Sequence, residues 1–401
     1  MDIIILADYC GSFDGNGNNR FTYLADLLVQ EHHEVEIVTG DFNHGKKQFF
    51  VEVPTGFPYK ITMLNEKGYK KNICLQRFGS DKVWGKAVSV YLKNRKKPDV
   101  IYAAVPPLAG ALEAAQYCEK NGIRFVIDIQ DLWPEAFRMV FDKGVISDFV
   151  FLPFKKMADG IYSRADSVCA VSETFVKRVL HVNKKKQFGH TVFLGTDLAE
   201  FDNNVRKHPF NCSKTLENEI WLAYCGTLGA SYDLKCVIDA LTVLKRRDID
   251  NVAFMVFGDG PRRQEFENYA REKKVDVRFF GRLPYPEMCG ALCACDITVN
   301  PIMKGSAASI INKHADYAAS GLPVINTQEN EEYRNLVTGY KMGFNCENGD
   351  YTQIAECIVE LIRDENLRKS MGRQARLCAE ERFNRKTSYK ELVSCIIKEF
   401  D

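Results

Sequence analysis

The segment from Asn300 to Thr327 constrains the fold more than any other stretch, because several structural signals follow one another in it. A strand end is followed by a small-residue loop, a helix that begins near Ser309, and another strand. The helix is indicated by side chains at three-to-four spacing, namely Ile310, Ile311, His314, Tyr317 and Ala318. Gly321 suits the turn after a helix, and Pro323 prevents the helix from continuing. The segment therefore predicts a strand–helix–strand unit, the building block of α/β folds.

The start of this helix has the properties of a site for a phosphorylated nucleotide. The small residues 305–309 precede it, and a helix N-terminus offers free N–H groups and the positive end of a dipole. Lys313 and Asp316 are three residues apart, so they share a face one turn into the helix. An ammonium there can hold a diphosphate, and a carboxylate can accept hydrogen bonds from both hydroxyls of a ribose. The same spacing also fits a solvated Lys–Asp pair on a surface helix, and the residues alone leave both interpretations open.

The run N-K-x-x-D-Y-x-A-S-G-L-P-V-I, which starts at Asn312, resembles the donor-binding helix of family-4 retaining glycosyltransferases of the GT-B architecture. In that family a Lys-x-x-Glu-Tyr-x-Ala-x-Gly-x-Pro run binds a nucleotide sugar. The resemblance implies that Ser309, Asn312, Lys313 and Asp316 bind the donor. The chain departs from the pattern at two positions. Asp316 stands in place of the usual Glu and is one methylene shorter, and Ala308 stands where a second acid often contacts the donor sugar.

A glycine-containing loop, Gly226-Thr-Leu-Gly229, follows the predicted strand Glu219–Cys225. Gly226 and Gly229 are expected to expose backbone N–H groups to a diphosphate. The resemblance places this loop in the donor site, with Thr227 where the family often has an Arg. Because the Lys that usually follows has no clear match, Lys313 is expected to be the main cation for the phosphates.

A second glycine-rich loop, residues 10–20, follows the predicted first strand, Asp2–Ala7. Its glycines do not have the spacing of the G-x-G-x-x-G dinucleotide fingerprint, and this argues against a dehydrogenase. In the family that the chain resembles, the equivalent loop lies across the cleft from the donor. The resemblance therefore implies that Gly15 and Gly17 approach the reacting centre, although glycine loops follow the first strand of many α/β domains.

The predicted acceptor-side residues follow the strand Arg124–Asp128, since ligands of open α/β sheets bind at the carboxyl ends of the strands. The run D-L-W-P-E after Gln130 resembles the acceptor-side segment of bacterial surface-polysaccharide glycosyltransferases, many of which have a histidine in place of Gln130. The resemblance implies that Gln130 donates a hydrogen bond to the acceptor sugar and that Asp131 orients the acceptor hydroxyl. Asp131 fits equally well as the N-cap of a following helix.

The composition predicts a cytoplasmic protein of two domains. The chain has 401 residues, of which 46% are hydrophobic, and its net charge of +1 gives no field that would attract nucleic acid. The fourteen cysteines include no CxxC pair, and without a secretory signal they predict free thiols in a reducing compartment. For the cluster Cys289, Cys293 and Cys295 core packing is favoured over a zinc site. No apolar run reaches the roughly 18 residues that span a bilayer.

Charge is unevenly distributed, and the segment from Lys60 to Lys97 carries eleven Lys or Arg against two acids. This excess of +9 leaves −8 for the rest of the chain. An apolar stripe at helical spacing, flanked by Lys82, Lys86 and Lys93, lies within the segment and consists of Val83, Trp84, Ala87, Val88, Tyr91 and Leu92. The stripe fits a helix on an anionic membrane, on the inner face of the cytoplasmic membrane, and equally a helix packed on a sheet.

We therefore expect an α/β fold of two Rossmann-like domains that face each other across a cleft, the GT-B arrangement. The expected acceptor-side domain covers residues 1–202, with a C-terminal helix, residues 387–401, packed back on it. The expected donor-binding domain covers residues 203–386, and the polar stretch Asp202–Asn218 is the predicted linker.

The resemblance implies retaining transfer of a sugar from a nucleotide-diphosphate donor to an acceptor hydroxyl, with a lipid-linked sugar as acceptor in capsule, O-antigen or exopolysaccharide assembly. No cofactor and no bound metal are expected, because the nucleotide sugar is itself a substrate. The sequence offers no pair of carboxylates that matches the two, about 5 Å apart, of a retaining glycosidase. Two rival functions stay open: a nucleotide-sugar 2-epimerase on the same architecture, and a non-catalytic nucleotide-sugar-binding partner of another enzyme.

Overall fold

A computed structural model describes residues 1–11, 13, 19–71, 74–135, 145–185, 189–305 and 310–397. The chain divides into two compact units. Unit 1 comprises Met1–Phe193 and Thr387–Asp401, and unit 2 comprises Leu194–Lys386. Each unit is described below by itself.

Unit 1 is built on a parallel sheet of seven strands in the order β5-β2-β1-β6-β7-β8-β9, a Rossmann-like order. The strands are β1 (Asp2–Leu6), β2 (Glu34–Gly40), β5 (Lys60–Leu64), β6 (Val100–Val105), β7 (Arg124–Ile129), β8 (Ser167–Ala170) and β9 (His190–Thr191). A small antiparallel pair is formed by β3 (Phe42–Asn43) and β4 (Gln48–Phe49). The helices are α1 (Arg20–Gln30), α2 (Leu75–Asn94), α3 (Leu108–Asn121), α4 (Val145–Tyr162) and α5 (Glu173–Val182).

Unit 2 repeats the plan with a parallel six-stranded sheet in the order β12-β11-β10-β13-β14-β15. The strands are β10 (Ile220–Cys225), β11 (Val252–Phe257), β12 (Val277–Gly281), β13 (Ile297–Asn300), β14 (Val324–Asn326) and β15 (Gly343–Asn345). The helices are α6 (Leu198–Lys207), α7 (Leu234–Lys245), α8 (Arg263–Lys273), α9 (Tyr285–Cys293), α10 (Asn312–Ala319), α11 (Glu331–Tyr340), α12 (Tyr351–Arg363) and α13 (Glu365–Cys378). A π-helical turn (Ala379–Phe383) precedes the last helix, α14 (Arg385–Ile397).

The central strands of both sheets are buried over their whole length, as expected for parallel strands covered by helices on both faces. All six residues of β6, β10 and β11 are buried, and their sequences are continuous apolar runs rather than alternating ones. In unit 2 the strand order reverses between β10 and β13. Because ligands of such sheets bind at the carboxyl ends next to this reversal, the topology directs attention to the loops after these two strands.

Unit 2 begins at Leu194 rather than at residue 203, so the predicted boundary and the predicted linker Asp202–Asn218 are corrected. The segment contains α6, which is helical through Lys207 and packs on α9. A β-carbon added at Gly290 of α9 would lie 1.8 Å from the carbonyl oxygen of His208, so the backbones approach closely there. This packing places the whole of α6 in unit 2.

The apolar stripe of α2 is buried inside unit 1. Trp84, Val88 and Leu92 are 0–2% exposed, and α2 packs on α3. A β-carbon added at Gly110 of α3 would lie 2.3 Å from Nε1 of Trp84, so the indole fills the space over that glycine. The interpretation in which this stripe contacts a membrane is therefore wrong, and the stripe is core.

The opposite face of α2 is exposed and carries the positive charge. Lys82, Lys86 and Lys93 are exposed, and they alternate with two exposed aliphatic side chains, Leu75 and Val90. Lys60 and Arg95, which also belong to the basic segment, are paired with Glu36. Among the helices in the described part of the chain, none is long and apolar enough to cross a membrane.

The cysteines of the described residues carry free thiols. Cys289 and Cys295 are buried, at 0% and 5% exposure, and Cys293 is partly buried. Within the part of the chain that the structure describes, no group of three or more His, Cys, Asp or Glu side chains is arranged to hold a metal ion. The cysteine cluster packs in unit 2, as the core interpretation predicts.

A buried ion pair ties three parts of unit 1 together. Nε and Nη2 of Arg20, on α1, donate to the two carboxylate oxygens of Asp128, on β7, at 2.8 and 2.9 Å. Nη1 of Arg20 donates to the hydroxyl of Tyr389 in α14 and to the carbonyl of Phe193. Arg20 and Asp128 are 4% and 0% exposed. The bidentate geometry offsets the desolvation of both charges.

Asp128→Ala is expected to destabilise unit 1 by about 3–5 kcal/mol, because it leaves the Arg20 charge buried without a counter-charge. The urea midpoint of unfolding measures the change. Glu173→Ala is the matched control, since it breaks an exposed pair with Lys177 in the same unit and should leave the midpoint almost unchanged. Equal midpoints for the two variants would contradict the importance of the Arg20–Asp128 pair.

Candidate functional site

The candidate site lies at the carboxyl edge of the unit 2 sheet, where β10 and β13 are neighbours. The loop 226–229 leaves β10, and α10 follows β13 and the segment that leads from it. α10 begins at Asn312 rather than near Ser309. Ser309 and Ala308 lie outside the described residues, as do Gly15 and Gly17 of the first loop. The described site therefore consists of α10, the loop after β10 and the strand ends beside them.

Lys313 is buried, and no carboxylate among the described residues pairs with it. The residue is 8% exposed, and its Nζ has no hydrogen-bond partner among the described residues. The Nζ lies 4.0 Å from the ring centroid of Tyr232 and 4.9 Å from that of Tyr224. Burial lowers the pKa of Lys313 to about 7. Burying an ammonium group without an anion beside it costs free energy, so this position suits an anionic ligand.

Lys313 and Asp316 do not pair with each other in the described structure, and both are buried. The interpretation as a solvated surface pair is therefore wrong. Instead the two side chains have different neighbours. Lys313 lies against the rings of Tyr224 and Tyr232, whereas Asp316 accepts a hydrogen bond from the hydroxyl of Tyr285. Separate environments for a cation and a carboxylate on one helical turn match a ligand that carries phosphates at one end and hydroxyls at the other.

Asp316 is a buried acceptor held in place by a hydroxyl chain. Its Oδ1 accepts a hydrogen bond from the hydroxyl of Tyr285 at 2.9 Å, and that hydroxyl lies 2.7 Å from Oγ1 of Thr196. Burial raises the pKa of Asp316 to about 6. The carboxylate is thus oriented by Tyr285 before any ligand arrives. Sequence reasoning missed Tyr285, because the contact joins residues 31 positions apart.

The basic side chains that flank the loop after β10 are already paired. Lys235 lies 2.7 Å from Glu265, and Arg262 makes a bidentate contact with the same carboxylate. Arg263 pairs with Glu267 at 2.7 Å. Lys313 differs from these three side chains, because it is buried and no carboxylate pairs with it among the described residues.

The loop after β10 offers fewer N–H groups than the sequence suggests. The N–H of Gly226 donates to the carbonyl of Phe257, and that of Leu228 donates to the carbonyl of Asp259. The expectation that the Gly226 N–H contacts a diphosphate is therefore wrong. Glycine is required at Gly258, where a β-carbon would lie 1.8 Å from the carbonyl oxygen of Gly226, and Gly226 itself has a φ of +149°. Thr227 is exposed and Gly229 is partly buried, so both remain accessible at the edge.

A buried amide network, which sequence reasoning missed, holds the start of α10. The N–H of Ile311 donates to Nδ1 of His314, so Nε2 carries the proton and donates to Oε1 of Gln328 at 2.9 Å. Nδ2 of Asn300 donates to Oδ1 of Asn326 at 2.8 Å and to Gln328. Burial lowers the pKa of His314 to about 3, so the imidazole is neutral. His314 is thus a positioning residue rather than a charged ligand.

This network has one open acceptor. Oδ1 of Asn300, the last residue of β13, is buried and has no hydrogen-bond partner among the described residues. At the first turn of α10 the N-cap residue Ile311 offers no side-chain acceptor, although its own N–H donates to His314, and Asn312 is exposed there. An uncapped helix start presents its N–H groups and its positive dipole end to an anion. A sequence signal for the network exists, since Asn300, Asn326 and Asn345 each end a strand.

The two predicted acceptor-side residues lie at the carboxyl edge of the unit 1 sheet, after β7. Nε2 of Gln130 donates to Oδ2 of Asp128 at 3.1 Å, so Gln130 extends the Arg20–Asp128 pair. Oδ1 of Asp131 accepts from the N–H of Leu132. Burial raises the pKa of Asp131 to about 6. The two side chains thus have different partners, and the stretch that Asp131 was alternatively predicted to cap runs into residues 136–144, which lie outside the described residues.

Residues 209–377 match the glycosyl transferases group 1 family. The match covers the part of the chain that carries α10, and together with the fold it confirms the resemblance to GT-B glycosyltransferases that the sequence indicated. Among curated proteins, the chain is 21% identical over 317 residues to the probable glycosyltransferase WbjE of Pseudomonas aeruginosa, covering 77% of each chain. It is 23% identical over 319 residues to the capsular polysaccharide biosynthesis glycosyltransferase CapM of Staphylococcus aureus, covering 76% of this chain and 78% of CapM.

Solved structures show the same fold. Anabaena Alr3699/HepE in complex with UDP and glucose superposes with a TM-score of 0.68 at 15% identity and covers 98% of both chains. WaaG, a glycosyltransferase involved in lipopolysaccharide biosynthesis, superposes with a TM-score of 0.70 at 14% identity and covers 99% of this chain and 100% of WaaG. At such identities the likeness establishes the GT-B class of two Rossmann-like domains.

Lys313→Met and Asp316→Ala are each expected to weaken binding of a nucleoside diphosphate by about 1.5–3 kcal/mol, because each removes a charged hydrogen-bond partner. Titration calorimetry with the parent's best nucleotide measures the change. Lys313→Met should also unfold at a higher temperature than the parent at pH 7, because it removes a buried group that resists protonation. If both variants bind the nucleotide as the parent does, α10 is not the donor helix.

Proposed function

We propose that the chain is a retaining glycosyltransferase that moves a sugar from a nucleotide-diphosphate donor to an acceptor hydroxyl. The observation that carries the proposal is the buried Lys313 at the carboxyl edge of the unit 2 sheet, with which no carboxylate among the described residues pairs. A diphosphate supplies the missing negative charge. The names of the relatives, a capsular polysaccharide enzyme and a lipopolysaccharide enzyme, support a role in bacterial surface-polysaccharide assembly with a lipid-linked sugar as acceptor.

In this mechanism the donor's diphosphate is the leaving group, and unit 2 stabilises the charge that develops on it. Lys313 supplies an ammonium, and the first turn of α10 supplies the N–H groups of Asn312 and Lys313 and the positive end of the helix dipole. Thr227 and Gly229 contribute from the loop after β10, with Asn312 on the first turn of α10. Asp316, oriented by Tyr285, accepts the ribose hydroxyls. The complex of HepE with UDP and glucose supports a uridine nucleotide as the first donor to test.

The acceptor hydroxyl is assigned to Gln130 and Asp131 in unit 1. Asp131 orients the hydroxyl, and Gln130 donates to a neighbouring oxygen of the acceptor sugar. Neither residue is proposed as a covalent nucleophile. Retention is proposed to arise from attack on the donor's own face, with the departing diphosphate helping to take the acceptor proton.

Incubation with a panel of UDP-, GDP- and ADP-sugars tests the proposal. Release of nucleoside diphosphate that depends on an added lipid-linked sugar, and an unchanged anomeric configuration by NMR, is the expected result. Conversion of the sugar at C2 would identify a 2-epimerase instead. Binding of the donor without any product would identify a non-catalytic partner. Binding to none of the panel would overturn the donor site itself.

Turnover is expected to survive EDTA, because Lys313 and the helix dipole are assigned the task that a divalent ion performs elsewhere. The measurement is the initial rate with and without chelator, with Lys313→Met as the control that removes the assigned cation. A rate that falls with EDTA and recovers with Mn²⁺ or Mg²⁺ would contradict this assignment.

Peripheral contact with an anionic membrane is part of the proposal, and the exposed face of α2 supports it. Lys82, Lys86 and Lys93 lie on this face with the exposed Leu75 and Val90. Each Lys near an anionic surface contributes about 1 kcal/mol, and salt screens the attraction over about 8–10 Å. The buried stripe of α2 plays no part in this contact, which is assigned to the lysines and the two aliphatic side chains.

The parent is expected to co-sediment with anionic vesicles at low salt and to be released at high salt. A Lys82/Lys86/Lys93→Glu variant should lose the binding, whereas neutral vesicles should bind neither protein. The matched control is Lys369→Glu, an exposed lysine of unit 2. Equal sedimentation of parent and triple variant would show that α2 does not contact lipid, and a soluble acceptor would then replace the lipid-linked one.

A further inference from the structure

Two tyrosines of unit 2 surround the amine of Lys313, and the mechanism above does not require them. Tyr224 lies on β10, and Tyr232 follows the loop 226–229; their ring centroids are 5.7 Å apart in an edge-to-face arrangement. The hydroxyl of Tyr224 donates to the carbonyl of Thr227 at 2.8 Å, which ties this ring to the loop. Tyr232 is bridged to Ile302, beyond the end of β13. We call these two rings the tyrosine clamp.

The surroundings of the Lys313 amine contain no carboxylate among the described residues that would hold it charged. On α10 the neighbouring His314 is neutral, and Asp316 is engaged by Tyr285. On β10, Cys225 is a buried thiol whose pKa burial raises well above its ordinary value. The hydroxyl of Tyr317 accepts from the N–H of Cys225. The aromatic faces of the clamp stabilise an ammonium only weakly compared with a carboxylate.

We propose that the tyrosine clamp surrounds a largely neutral Lys313 amine in the donor-free protein. Binding of a nucleoside diphosphate then transfers one proton from solution to this amine. The inference rests on the proposed function, since it assigns the diphosphate to Lys313. The step is a simple protonation of an amine to an ammonium, with the buffer as proton source. Donor binding is then coupled to pH through a single group of the site.

The sign of the coupling follows from the pKa of Lys313. Because burial lowers this pKa to about 7, the amine of the free protein is mostly neutral at pH 8 and mostly protonated at pH 6. A bound diphosphate places negative charge beside the amine and raises its pKa again. Proton uptake on binding is therefore large above pH 7 and fades below it. Affinity should fall by up to about tenfold for each pH unit above 7, since the proton is bound together with the nucleotide.

Titration calorimetry at pH 8 in buffers of different ionisation enthalpy measures the proton uptake. UDP is the first probe, followed by GDP and ADP, and their terminal phosphates, with a second pKa of about 6, are already ionised at this pH. The parent is expected to take up most of one proton per nucleotide. Lys313→Met should take up almost no protons, and any uptake that it does show is the contribution of the nucleotide, to be subtracted from the parent's value. If Lys313→Met binds too weakly to measure, Lys313→Arg replaces it, because a guanidinium stays charged and should bind without uptake.

The clamp is tested by a matched pair of variants at the partly buried Tyr232. Tyr232→Leu removes an aromatic face that favours the ammonium, so the pH at which uptake is half-maximal should fall by about one unit. Tyr232→Phe keeps the face and should not shift it. A merely structural role would alter stability in Tyr232→Leu but not this midpoint.

The outcomes separate the inference from the proposed function. Binding of a nucleotide with the expected uptake and the expected Tyr232→Leu shift supports both. Binding without proton uptake overturns the inference and leaves the proposed function standing. Uptake that Tyr232→Leu does not shift overturns the role of the clamp. Absence of binding to UDP, GDP and ADP overturns the proposed function, and the inference falls with it.

Discussion

The candidate site of unit 2 is arranged around one desolvated amine, that of Lys313. A lysine removed from water without a carboxylate partner opposes folding, and it persists only where the surrounding fold holds it and a ligand can offset it. Lys313 is held by its place on α10 and by the two rings of the clamp. Lys235, Arg262 and Arg263 are paired with carboxylates, whereas the buried Lys313 has no such partner among the described residues.

Packing around α10 gives Lys313 and Asp316 separate environments, to which the proposed function assigns the phosphates and the ribose. The helix has seven buried residues among its eight, so it is embedded in the unit rather than laid on its surface. The neutral His314 and the amides of Asn300, Asn326 and Gln328 fix its start, and Tyr285 fixes Asp316 on the other side. The partners outside α10 come from the ends of β13 and β14, the residues just after β14 and the start of α9, and they fix the position of the helix and of Asp316.

The same sheet topology carries different chemistry in unit 1. Its carboxyl edge holds several acids together with Arg77, which donates to the hydroxyl of Tyr9. Burial, with Glu66 beside it, raises the pKa of Asp8 well above its ordinary value, and burial raises that of Asp81 to about 7. Glu66 in turn accepts a hydrogen bond from Ser80. An edge of carboxyl groups suits sugar hydroxyls better than phosphates, in line with the roles proposed for the two units.

The sequence by itself determined the α/β class, the strands that start each unit, and the approximate place of α10 with Lys313 and Asp316 on one turn, because apolar runs, glycine stops and local motifs are short-range signals. Only the tertiary structure decided that Lys313 and Asp316 are both buried and do not pair with each other. It also decided that the N–H of Gly226 donates to the carbonyl of Phe257 and that the apolar stripe of α2 is core. It also revealed Tyr232 and Tyr285. Burial and hydrogen-bond partners depend on residues far apart in the chain, and local spacing carries no information about them.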